Sequence, residues 1–196
     1  MLRGEFIKRS ALAVITAKVG FSLSFNDTVM VDIEKYQFND DGVIPNSRYP
    51  LLLYRACFTA KGTEGAAWLE KRFKQNDWYN TWRYGIYPFH HYHSTSHEVL
   101  GCFSGTALLH LGGEKGEKVT IQAGDIVVIP AGVGHKCLQH SPDFTVVGAY
   151  PEGKDWDLLR GEKGERPQAD QNIAQVPLPG KDPYFGTENG LLTYWK

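Results

Sequence analysis

Residues 90–101 read HHYHSTSHEVLG and hold four of the chain's seven histidines. Imidazole in its neutral form binds metals, and near neutral pH it moves protons. Residues two apart on a strand face one side. His91 and His93 therefore project together, with Phe89, while His90 and Tyr92 face the other way. A turn at STSH follows, and Glu98 begins the next strand. Two imidazoles and a carboxylate converging from a strand pair offer three adjacent positions to a divalent ion. A helical alternative would use His93 and His97, four apart, as in zinc proteases, but needs a helix and a glutamate between them. The residues between are Ser-Thr-Ser, Pro88 precedes, and helix caps are missing, so that alternative fails.

A second segment, GDIVVIPAGVGHKCL (124–138), completes the set. It reads as a strand over 125–129, a Pro-Ala-Gly turn, and His135 opening a further strand. The reversal brings His135 beside His91 and His93, giving a metal site of His91, His93, Glu98 and His135. These ligands suit one divalent Fe, Mn, Ni, Co or Zn ion per chain, and the set alone does not choose among them. Four protein ligands on an octahedral ion leave two positions for substrate, with the metal as Lewis acid and template. Because uptake needs neutral histidines, affinity is expected to fall as pH drops through ~6.5.

The elements that must position these residues are mostly strands. LLLYRACF (51–58) reads as a buried strand. Residues 64–75 read as one short helix, with Thr63 as N-cap, Ala66, Leu69 and Phe73 on one face, and a Glu70–Lys74 pair. Short runs then alternate with Gly, Pro or Asp turns: PFHHYHS, EVLGCFS, TALLHLG, KVTIQ, DIVVIP, HKCLQ and DFTVVGAY. Many short strands with regular turns indicate an all-β sandwich or barrel. From 152 the chain turns to charge, Gly and Pro. IAQVPLP (173–179) then reads as extended and GLLTYW as a terminal strand, so 152–196 is expected as an arm wrapping the domain or a partner subunit. Residues 36–196 thus form one domain, with 1–35 as an N-terminal extension. That extension loosely imitates a targeting peptide, but Lys18 interrupts its apolar run. An extra strand or arm is the blander reading, and a natural start at Met30 is a third. GEKGE occurs at 113–117 and 161–165 and is read as two polar turns, neither a repeat nor a phosphate loop.

Among 196 residues the net charge is −1 and the sequence pI near 6.6, which speaks against a nucleic-acid footprint. No apolar run spans a bilayer. Three cysteines without paired spacing, Cys57, Cys102 and Cys137, fit free thiols in a reducing, cytoplasmic setting. Aromatic residues are 13% of the chain, enough to fill a core and also line a cavity. Trp82, Arg83, Tyr84, Tyr87 and Tyr150 are candidates for the barrel mouth, although core filling is the simpler account of each aromatic. Arg83 is the first choice to bind a carboxylate or phosphate. His90 and His97 read as loop neighbours or ring-orienting partners, His110 as a satisfied strand histidine, and His140 as a loop residue.

The pattern Gly85, five residues, His91-x-His93, four residues, Glu98, six residues, Gly105 resembles cupin motif 1. Gly124, five residues, Pro130-x-Gly132, two residues, His135 resembles motif 2. The match departs at Gln139, where the motif usually has Asn. Beyond the motifs, GIYPFHHYHSTSHEVLG, IPAGVGHK and VVGAYPEG look like a YjlB-like branch of small single-domain cupins, a branch without a settled reaction. The resemblance implies a jelly-roll barrel with the metal inside it near one open end, and a homodimer. Two functions follow. One is a metal-dependent enzyme acting on a small polar molecule, of dioxygenase or isomerase/epimerase type. The other is a metal-bound module that binds or senses a small molecule without turnover. Neither nucleic acid nor membrane is expected as a partner.

Overall fold

The computed structural model of the chain describes residues 31–196. The three readings of residues 1–29 lie outside the described residues, as does most of the expected 1–35 extension.

Two antiparallel sheets face each other across the main core. The larger takes the order β1-β2-β7-β4-β9-β3. Its strands are β1 (Ile33–Tyr36), β2 (Leu51–Tyr54), β3 (Trp78–Tyr84), β4 (Glu98–Ser104), β7 (Ile126–Ile129) and β9 (Thr145–Pro151). Ile33, Glu34 and Lys35, placed in the extension by the sequence reading, thus belong to the sheet. The smaller sheet takes the order β6-β5-β8, from β5 (Thr106–Leu111), β6 (Glu117–Gln122) and β8 (His135–His140). The result is a jelly-roll barrel, an all-β fold with few helices.

The central strands β2, β7 and β4 of the larger sheet are buried on both faces, which explains their unbroken apolar runs. Leu51, Leu53, Val127 and Ile129 face the barrel core. Leu52, Tyr54, Ile126 and Val128 face a second core on the outside. Helix α1 (Gly62–Gln75) covers that outer face with Ala66, Leu69 and Phe73, the face that the periodicity predicts. Gly101 on β4 admits the helix: a Cβ there would stand 2.5 Å from Leu69 Cδ2. The smaller sheet contributes Ala107, Leu109 and Leu111 to the barrel core by strict alternation.

Several expectations are corrected. α1 starts two residues before the predicted boundary, with Lys61 as its N-cap and no side-chain cap bond, so Thr63 does not serve. Glu70 pairs with Arg83 on β3, at 2.7 Å and 2.8 Å, because a guanidinium offers two parallel donors and Lys74 only a point charge. PFHHYHS is not a strand. Its backbone pairs one residue at a time, His91 with His135 and Tyr92 with Leu159, so it bridges β8 to the tail. GLLTYW is not a strand either: it forms helix α3 (Leu191–Tyr194), whose first amide donates to the buried Asp182 at 2.8 Å. IAQVPLP is extended only from Val176, since α2 (Gln168–Gln175) takes its first residues. β3 was not anticipated. It is an edge strand whose middle residues are mostly exposed, so it lacks a buried apolar signature.

The arm wraps its own domain. Trp195 donates to the Pro50 carbonyl at 2.8 Å and stacks on Tyr49 at 5.6 Å. Tyr54 on β2 donates to Asp182 at 2.6 Å. The three cysteines are free thiols, and Cys102 and Cys137 point into the barrel core, as their strand parity requires.

Candidate metal centre

His135 opens β8 and is delivered by the turn Pro130–Gly134. Gly132 has φ 93°, and a Cβ there would overlap the Asn46 carbonyl, so only glycine closes this turn. His91 and His135 then exchange backbone hydrogen bonds at 3.2 Å and 2.9 Å. The amide of Gly132 donates to the His93 carbonyl at 2.8 Å. Glu98 is fixed at the start of β4 by pairing with Ile129. These links hold both distant segments in one register.

The structure brings all four predicted residues together. One ring nitrogen each of His91, His93 and His135 lies within 4.8 Å of the others. Glu98 Oε2 stands 3.6 Å from His93 Nε2 and 3.3 Å from His135 Nε2. All four side chains are buried.

The other face of each ring decides what this cluster is built for. His91 Nδ1 lies 3.2 Å from the Phe89 carbonyl and His135 Nδ1 lies 3.1 Å from the Val133 carbonyl. His93 Nδ1 meets the Asp157 carbonyl. A carbonyl only accepts, so each Nδ1 carries the proton, and the three Nε2 lone pairs turn toward one centre. Glu98 Oε1 accepts the Tyr150 hydroxyl proton at 2.7 Å, while Oε2 is buried without a hydrogen-bond donor. Lone pairs facing a buried carboxylate oxygen repel unless a cation lies between them. The donor set of three nitrogens and one oxygen fits a divalent transition ion.

The charges agree. Burial opposes ionisation of Glu98, yet the neighbouring His93 and His135 rings hold its carboxyl well below the usual range. Burial also opposes charge on His93, but Glu98 outweighs it and raises the ring above the ordinary histidine value. His91 is pushed down to about 2, first by burial and then by His135.

Sequence reasoning missed Asp157 and Trp156. The Asp157 carboxylate accepts the Ser94 amide at 2.6 Å and the Thr95 amide at 3.3 Å, so it clamps the turn after His93 while its carbonyl orients that ring. Both lie in a charged, Gly-rich tail without periodicity, so no local signal marked them. His97, read as a loop neighbour or a ring-orienting partner, is buried; its Nδ1 accepts the Ala131 amide at 2.9 Å and its ring packs on Trp195 at 4.7 Å. His97 thus ties the second motif's turn to the start of β4 and does not face the centre.

The cluster forms the floor of a cavity of about 380 Å³. Its walls are largely apolar and aromatic: Trp82, Ile86, Tyr87, Leu100, Trp156 and Leu158. Tyr150 and Trp156 stack at 4.1 Å and 9°. Trp82 lies flat against Gly148, where a Cβ would overlap its indole. Arg83 reaches the rim, but its fork is engaged by Glu70, which removes it as first choice for an anionic ligand.

A jelly-roll barrel with this floor defines a cupin, and residues 85–147 match the Cupin domain family model. The chain belongs to the cupin family. It is 43% identical over 165 residues to the uncharacterised protein YjlB of Bacillus subtilis strain 168, covering 84% of this chain and 97% of that protein. Two solved structures overlap more loosely. The plu4264 protein of Photorhabdus luminescens shares 11% identity at TM-score 0.26, over 74% of this chain and 86% of that one. RmlC of Streptococcus suis, solved with dTDP-D-xylose, shares 14% at TM-score 0.34, over 78% and 86%. Neither overlap says anything of activity. Among the described residues no helix is long and apolar enough to cross a membrane.

Proposed function

We propose that this cupin is a metal-dependent enzyme acting on a small molecule that has an apolar, largely flat body and its oxygen atoms at one end. The observation that supports it is the buried, donor-free Oε2 of Glu98 facing imidazole lone pairs. His91, His93, Glu98 and His135 would hold the ion. When bound, it supplies a Lewis acid at the cavity floor.

The chain's own residues do the rest. Carbonyls of Phe89, Val133 and Asp157 fix the rings, and Tyr150 fixes the carboxylate. Trp82, Trp156 and Leu158 exclude water and orient an apolar body. These walls narrow the expected small polar substrate to one that is polar at a single end, since a sugar would leave its hydroxyls without partners.

Oxidation of the dioxygenase type is favoured over isomerisation. Isomerisation needs an acid or base beside the substrate. Outside the four metal residues, the ionisable groups lining the cavity among the described residues are Arg83, Tyr84, Tyr87 and Tyr150, with no spare carboxylate or imidazole. Burial and the Glu98 charge push the Tyr150 hydroxyl well up, which leaves it a fixed donor. A binding or sensing module without turnover is the second reading, supported by the same absence of proton-transfer groups. We place the protein in the cytoplasm as a homodimer.

Elemental analysis of protein purified without chelator, beside a His93→Ala variant, tests the metal. Equal content in the two overturns the reading. Oxygen-dependent bleaching of the Fe(II) form only with an aromatic hydroxy acid present supports turnover. Tight binding of that compound without turnover across a broad panel supports the sensing module.

A further inference from the structure

His90 and His91 are neighbours in sequence but serve opposite faces. His91 enters the barrel, and His90 lies against the outside of the smaller sheet. There it meets His110, which alternates outward on β5 between the inward Leu109 and Leu111. The two rings have centroids 4.9 Å apart. The turn between β5 and β6 brings Glu114 over them, with His90 Nε2 3.4 Å from Glu114 Oε1. One ligand atom from each of His90, His110 and Glu114 lies within 4.8 Å of the others.

His90 is the informative member. Its side chain is only 10% exposed, yet both ring nitrogens are without a hydrogen-bond partner among the described residues. A neutral imidazole carries one donor and one acceptor, and burying both unpaired is costly. An ion seated between His90, His110 and Glu114 would partner one of those nitrogens. A cation already leans on this spot: Lys136, opposite His110 in the ladder, places Nζ 2.5 Å from Glu114 Oε1.

We infer that His90, His110 and Glu114 form a second metal site, on the outside of the barrel, for a divalent transition ion of the zinc type. Two imidazoles and a carboxylate are a zinc-compatible set. Glu114 is exposed, so solvent completes the coordination. The ion displaces the Lys136 ammonium from Glu114. The dipeptide His90–His91 then supplies one ligand to each site, and filling the outer site restrains the backbone that carries His91.

The test is a Zn(II) titration of the full chain after chelator treatment, against a chromophoric competitor. Wild type takes up two equivalents, His110→Ala one, His93→Ala one, and the double variant none. Glu114→Gln changes an exposed side chain and leaves the fold intact; it weakens the second equivalent about tenfold. Lys136→Met removes the competing charge and tightens that equivalent about threefold, leaving the first unchanged. A purely structural cluster would not respond in that direction. A single wild-type equivalent that survives His110→Ala, or a second equivalent untouched by His110→Ala or Glu114→Gln, overturns the outer site. Loss of uptake only in His93→Ala would leave the barrel site standing alone.

Discussion

Tyr150 and Glu98 form the polar hinge of the barrel floor: the phenol donates to Oε1 at 2.7 Å, and Oε2 is left free to face the histidines. The pair joins β9 to β4, neighbours in the larger sheet. Tyr150 also accepts the Trp82 indole proton at 3.1 Å, so one chain of bonds runs from the cavity wall to the carboxylate.

Tyr150→Phe tests that chain. The ring still stacks on Trp156, so stability falls by about 1 kcal/mol for the lost hydrogen bond. Metal affinity falls about tenfold, because the carboxylate loses its orientation. Thermal unfolding and a metal titration on one preparation separate the two effects.

Glu98→Gln tests the carboxylate. In the metal-free protein the His93 and His135 rings hold Glu98 ionised, so removing the charge lowers the unfolding midpoint. Metal affinity falls as well, by about tenfold or more. Metal affinity at the wild-type value would mark Glu98 as a structural residue only.

Gly148→Ala acts on the cavity wall. The added Cβ would overlap the Trp82 indole. Trp82 must move, at a cost of about 1–3 kcal/mol. Its fluorescence should change while the metal content stays at the wild-type value.

Arg55 supports the far edge of the larger sheet. It donates to Glu34 on β1 at 2.7 Å and to the buried Asp125 at 2.9 Å. The Arg55 hydrogen bond holds the Glu34 carboxyl below its usual value against the opposing effect of burial. Because the folded chain then binds fewer protons at Glu34 than the unfolded chain, this contribution is complete above the unfolded value near 4.5 and fades as pH falls through the lower, folded one. Arg55→Met costs about 2 kcal/mol at neutral pH, mainly by stranding Asp125. It also flattens the acid limb of the stability profile. An unchanged limb would mean that Glu34 contributes nothing.

The sequence by itself determined the fold class and the four residues that the structure gathers on the cavity floor. His91, His93, Glu98 and His135 announce themselves because ligand chemistry demands particular side chains, and because strand parity and a glycine-closed turn are local rules. The short apolar runs between turns likewise sufficed for an all-β barrel, and the face of α1 followed from its period.

Only the tertiary structure decided the shape of the cavity and the partners of its residues. Trp156 and Asp157 come from an aperiodic tail, and they reach the site through a stack on Tyr150 and a clamp on Ser94 that no nearby residue signals. Arg83 looked free for an anion until β3 lay beside α1 and Glu70 took its fork. GLLTYW has strand-like composition, yet Asp182, nine residues before Leu191, caps it as a helix. In each case a contact between separate segments outweighs a local preference worth only a fraction of a kcal/mol per residue.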